Sequence, residues 1–207
     1  SPLLYNTYLQ AGLLKKKFED SENNEFFVDV AMRYGSPSIE SKLLQLVKSG
    51  YKKIIILPMF PQYSTTTTRS IARKLDEVIK ENNILSEIEI SFIKDFHDHA
   101  MYIDACCDSI QDYQVKSGLP QKLLLSFHGI PESYVGLDEP YRDQCMMTAN
   151  LIAKKLNLDE KKFEVAFQSR FGRAEWIKPY LAERLENLPN EKINNIQVFC
   201  PGFSSDC

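Results

Sequence analysis

Apolar positions along the chain follow two alternating rhythms, one at helical spacing and one of short contiguous β-branched runs. Leu3, Leu4, Tyr8, Leu9, Leu13 and Leu14 follow Ser1-Pro2 at the helical period. This predicts an amphipathic helix capped by Ser1, with Pro2 at a first position that needs no amide hydrogen. Phe26–Met32 predicts a strand, and Ser36-Pro37 opens a second helix with Ile39, Leu43, Leu46 and Val47 on one face, ended by Gly50. Ile54–Leu57 is apolar on consecutive residues and stopped by Pro58, which predicts a strand buried on both faces. A helix from about Thr67 follows, then a strand at Ile88–Ile93 and a helix from about Asp98 to Lys116, stopped by Gly118.

The same alternation fills the second half. Leu123–Phe127, Phe163–Phe167 and Ile196–Cys200 predict strands, and Asp143–Leu156 predicts a helix. A last helix is expected from about Ala174 to Leu185, with Pro179 tolerated near its first turn. Strands alternating with helices imply parallel βαβ units, hence an α/β fold of two doubly wound parallel-sheet halves. Gly118-Leu119-Pro120 is the expected boundary, giving domains 1–119 and 120–207. The chain closes on a strand and the loop Pro201–Cys207, where an α/β chain should continue into a helix. The second domain is therefore expected to be incomplete.

Composition narrows the function classes. The chain has 207 residues, a net charge of −3 and 43% hydrophobic residues, so it can bury a sizeable core but carries no footprint for nucleic acid. Its apolar runs are too short to span a bilayer, and Lys15-Lys16-Lys17 reads as a solvated helix end. The five cysteines are odd in number and include adjacent Cys106 and Cys107, with no C-x-x-C pair. They read as reduced cytosolic thiols rather than a zinc or iron–sulfur site.

In an open α/β sheet, ligands bind beyond the carboxyl ends of the strands. Four segments hold that position: Pro58–Thr65, His128–Pro131, Gln168–Gly172 and Pro201–Cys207. They are rich in aromatic residues and proline, which suits a flat apolar ligand, and no phosphate-binding glycine loop accompanies them. His128 follows an apolar strand directly. It either satisfies loop backbone groups or faces the crevice as a metal ligand or a base. Asp95-Phe96-His97-Asp98-His99 reads as polar residues at a helix start, with surface metal binding the alternative. The five hydroxyl residues Ser64–Thr68 supply a helix cap, and further hydroxyls can hydrogen-bond a ligand carboxylate. Trp176, the lone tryptophan, is either core or a stacking face, and Arg170 and Arg173 suit acidic groups.

Taken together, Ser1-Pro2-Leu3, Tyr34–Ser38, Leu57–Ser64, Ser126–Pro131, Phe167–Gly172 and Cys200–Cys207 resemble the bacterial ferrochelatases, in the same order along the entire chain. The resemblance implies two Rossmann-like, chelatase-type domains flanking a porphyrin cleft, without a nucleotide. It implies that His128 matches the family's active-site histidine, assigned to metal binding or to pyrrole proton abstraction. Tyr63, Ser64, Trp176, Phe203 and Asp206 match positions that bind the substrate. The implied reaction inserts ferrous iron into a dicarboxylate porphyrin, protoporphyrin IX to protohaem, at the end of haem synthesis. Fe(II) is then a substrate and no cofactor is tightly bound. The implied setting is the cytoplasm, with at most peripheral contact at the inner membrane.

In the family the chain begins before Ser1, and a glutamate partner of the histidine lies just beyond Cys207, so this fragment alone is expected to be weak or inactive. A cobalt or nickel chelatase and a porphyrin-binding fragment without turnover are the competing readings. A nucleotide-binding α/β enzyme lacks every phosphate-loop signature.

Overall fold

The computed structural model describes residues 2–21, 26–84, 88–136 and 138–205. Among these residues the order is α1 (Pro2–Asp20), α2 (Ile39–Lys48), β1 (Lys53–Ile56), α3 (Thr68–Glu81), β2 (Glu89–Phe92), α4 (Ala100–Ser117), β3 (Lys122–His128), α5 (Tyr141–Lys155), β4 (Phe163–Gln168), α6 (Leu181–Asn187) and β5 (Ile196–Phe199). The α/β alternation is as expected, and every strand pair is parallel. Ser1, the expected cap of α1, lies outside the described residues.

Two compact units form. The first holds the described residues within Ser1–Pro58, Arg69–Ile93 and Ser205–Cys207, the second Met59–Thr68 and Lys94–Ser204. The division differs from the expected one at Gly118–Pro120. Helix α4 packs its Ile103, Cys106, Cys107 and Ile110 into the same core as Leu123 and Leu125 of β3. Gly118, at φ +80, is therefore a turn inside the second unit.

In the first unit β1 and β2 pair from Lys53↔Glu89 to Ile56↔Phe92. Leu43 of α2, Leu75, Val78 and Ile79 of α3, Ile54, Ile84 and Ile88 form its core. Strand β1 was expected to be buried on both faces and is not. Ile54 is buried, whereas Ile55 is 58% exposed, because α2 and α3 supply apolar side chains to the cluster around Ile54 only. The stretch Phe26–Met32 does not form the expected strand. Its one bridge is Met32↔Ser38, where the Met32 amide donates to the Pro37 carbonyl instead of a neighbouring strand. Helix α2 starts beyond Ser36-Pro37, capped by Ser38, whose side chain accepts from the Ser41 amide.

The second unit is a three-stranded sheet in the order β4-β3-β5. Central β3 is buried from Leu123 to Phe127. Leu123, Leu125 and Phe127 pack against Cys145, Ala149 and Ile152 of α5. The helix expected from Ala174 does not form before Leu181. The backbone there is already engaged, since the Ile177 amide donates to the Ile130 carbonyl and the Glu132 amide to the Glu175 carbonyl. Pro179 adds a second reason: it has no amide to donate and disfavours helix at the preceding residue.

Candidate functional site

Strand β3 ends at His128, and its exposed imidazole stands where the carboxyl end of a parallel strand opens. The ring is oriented locally. Its Nδ1 lies 2.6 Å from the Gly129 carbonyl oxygen. A carbonyl only accepts, so Nδ1 carries the hydrogen, and in the neutral ring this leaves the lone pair on Nε2. The Trp176 ring stands 6.1 Å away and the Phe203 ring 6.3 Å, both tilted. The end of the strand thus presents an imidazole near two aromatic rings, with Phe171 edge-on to Trp176 at 5.0 Å.

Gly129 makes this corner feasible. A Cβ there would stand 3.0 Å from Cε3 of Trp176 and 3.1 Å from the Gln168 carbonyl oxygen. The Gly129 amide donates to that carbonyl at 2.8 Å, and Ser126 Oγ donates to Gln168 Oε1 at 3.1 Å. Trp176 is 4% exposed. Its amide and carbonyl are both bonded to the Tyr180 hydroxyl. Arg170 stacks on the Tyr180 ring at 4.6 Å.

The other residues expected at the site are held differently. Tyr63 is half-buried, its amide donating to Gln144 Oε1 at 2.6 Å and its ring lying under Lys94 at 4.8 Å. Ser64 is 1% exposed, and its hydroxyl donates to Glu139 Oε2 at 3.2 Å while accepting from the Thr66 amide. Asp206 lies outside the described residues. Residues that sequence reasoning missed sit behind this loop. Gln62, 2% exposed, donates to Thr148 Oγ1 at 3.0 Å and to the Tyr102 hydroxyl, which donates in turn to the Pro201 carbonyl. Ser204 Oγ donates to the Met59 carbonyl at 2.7 Å. The network ties the 59–64 loop to the 201–204 loop that carries Phe203. A glutamine following Pro61 held no signal of burial; only the pairing of its amide reveals it.

Asp95, His97 and Asp98 place potential ligand atoms within 4.8 Å of one another. The His97–Asp95 contact is 2.8 Å, and Gln144 Nε2 donates to Asp95 Oδ2. His99 is not among them and takes the cap position of α4, in keeping with the reading of this stretch as polar residues at a helix start. Among the thiols, burial pushes Cys106 up to about 11 and Cys145 higher still, which keeps both protonated and unreactive.

A family model described as Ferrochelatase matches residues 1–207. Over its whole length the chain is 39% identical to the ferrochelatase of Pseudoalteromonas atlantica, 41% to that of Methylobacillus flagellatus and 44% to that of Wigglesworthia glossinidia brevipalpis. It spans 57%, 59% and 63% of the lengths of those proteins. Among solved structures, SirB from Bacillus subtilis with Fe3+ superposes at a TM-score of 0.55 and 14% identity, over 90% of this chain and 81% of that one. At that identity the likeness is one of fold. With the family model matched from end to end and bacterial members about 40% identical over all of it, the chain belongs to the ferrochelatase family.

Proposed function

We propose that the full-length protein inserts ferrous iron into a dicarboxylate porphyrin, protoporphyrin IX to protohaem, as the last step of haem synthesis. The observation that carries this reading is His128: an exposed imidazole whose Nδ1–H is committed to Gly129, whose Nε2 has no hydrogen-bond partner among the described residues, and which lies near two aromatic rings. Insertion breaks two pyrrole N–H bonds, forms iron–nitrogen bonds and releases two protons, with no change in oxidation state. Nε2 has the lone pair either to take a pyrrole proton or to ligate the entering iron. Phe203 and Phe171 offer apolar surface to a flat macrocycle, and the buried Trp176 ring lies 6.1 Å from the imidazole. Iron is the substrate here, and the reaction needs no resident cofactor. None of the described helices is long and apolar enough to cross a membrane. The proposed setting is the cytoplasm, with peripheral contact at the membrane.

The test is metal insertion by the full-length protein, followed as the shift in porphyrin absorbance. His128→Ala is expected to lower the rate by ~100-fold or more, the usual share of a positioned acid–base group. Its thermal midpoint should stay unchanged, because the side chain is exposed. A variant that inserts iron at the parent rate would overturn the role of His128. Parallel assays with cobalt(II) and nickel(II), and with a more carboxylated tetrapyrrole, decide the metal and the ring.

A further inference from the structure

Glu139 is a buried carboxylate, 7% exposed, standing before α5. Its backbone is fixed by a bridge to Gly136, with its amide donating to the Gly136 carbonyl at 2.9 Å. Three donors converge on a single oxygen. Oε2 accepts from Ser64 Oγ at 3.2 Å, from the Thr65 amide at 2.8 Å and from the Thr65 hydroxyl at 2.5 Å. Oε1 is buried and has no partner among the described residues. A buried carboxylate is costly unless donors surround it, and here every donor comes from the Ser64–Thr65 segment.

The same segment is gripped at two further points. Gln144 accepts from the Tyr63 amide, and Thr148 accepts from the Gln62 amide group. Gln144 and Thr148 are four residues apart in α5, hence on one face. We propose that Glu139 is a positioning residue for the porphyrin-contacting loop 62–66, acting as a hydrogen-bond acceptor rather than as a negative charge. This rests on the porphyrin reading above. Ser64, buried with its hydroxyl engaged, belongs to the frame, and Tyr63 is the side chain the frame aims. The one-sided load makes the acceptor role separable from the charge. A glutamine can set its oxygen in the Oε2 position to receive all three donors and its amino group in the Oε1 position, where no donor is displaced.

The experiment compares Glu139→Ala and Glu139→Gln in the full-length protein by amide hydrogen exchange and by iron-insertion kinetics. In Glu139→Ala, exchange across 62–66 should rise ~10-fold or more while 123–127 in β3 stays as in the parent, the pattern of local opening. The KM for porphyrin should rise by about 10-fold with kcat within about threefold, the signature of lost binding rather than lost chemistry. Glu139→Gln should restore both readouts to within about threefold of the parent, the residual loss reflecting weaker bonds to an uncharged acceptor.

A glutamine variant as impaired as the alanine variant overturns the acceptor role. Exchange raised uniformly through the second unit, or a loosened loop with unchanged porphyrin KM, overturns the positioning role. If Glu139→Ala does not fold, Thr65→Val removes one donor alone and should still speed exchange at 62–66 by about threefold; no change there overturns the proposal. A parent protein that binds no porphyrin sinks the proposed function and the ligand half of this inference, while the exchange pattern then decides the loop half.

Discussion

At the scale of single residues, the corner after β3 depends on the absence of a side chain. Gly129 carries neither an unusual backbone nor a polar group; it is small where Trp176 and the Gln168 carbonyl approach. Gly129→Ala is expected to destabilise the protein by ~1–3 kcal/mol, the usual cost of forcing a methyl into a packed site. Because Trp176 is the lone tryptophan, its fluorescence reports the displacement directly. Urea unfolding followed by tryptophan emission checks both; an unshifted spectrum at unchanged stability would contradict the packing. His128 was legible in the sequence as a polar residue at the mouth of an apolar strand. Its tautomer was not, because the carbonyl that sets it belongs to the next residue's backbone and is aimed only by the fold.

At the scale of elements, punctuation residues decided where helices begin and end. Ser38 caps α2 by accepting from the Ser41 amide at 3.1 Å. Ser38→Ala should cost about 1 kcal/mol and Ser38→Gly only a few tenths, measured as separate urea midpoints with unchanged slope. Equal losses in the two variants would mean that the hydroxyl is not the cap. Periodicity predicted helices α2 to α5 and all five strands to within a few residues. It missed at Phe26–Met32 and at Ala174–Tyr180, both for one reason. In each stretch a backbone group is taken by a partner distant or out of pattern: Pro37 for Met32, and Ile130 for Ile177. Such competition leaves no trace in local spacing.

At the scale of the whole molecule, the second unit buries weak acids together. Burial raises the Cys106 thiol from 9.0 to about 11, and raises Cys145, Tyr102 and Tyr141 as well. Between pH 9 and 11 the unfolded chain releases the Cys106 proton while the folded chain keeps it. The unfolded state then binds fewer protons, so stability is fully present below pH 9 and falls as the pH rises. Cys106 alone should contribute on the order of 1–2 kcal/mol to that fall. Unfolding midpoints from pH 8 to 11 check this, and Cys106→Ala should give the shallower decline. Identical declines in the two proteins would exclude the thiol as a source.

The sequence by itself determined the α/β alternation, the parallel sheets, the family and the candidacy of His128. These follow from local quantities: the period of apolar residues, the caps and breakers between them, and motifs read in order. Only the tertiary structure decided that α4 shares the core of β3, that β1 is covered on one face, and that Trp176 is buried with its ring near the imidazole. It also decided that Ser64 is held by Glu139 and that Gln62 ties two loops together. Burial and hydrogen-bond partnership are relations between residues far apart in the chain. For Glu139 and Thr65 the separation is 74 positions, a distance over which sequence spacing carries no information.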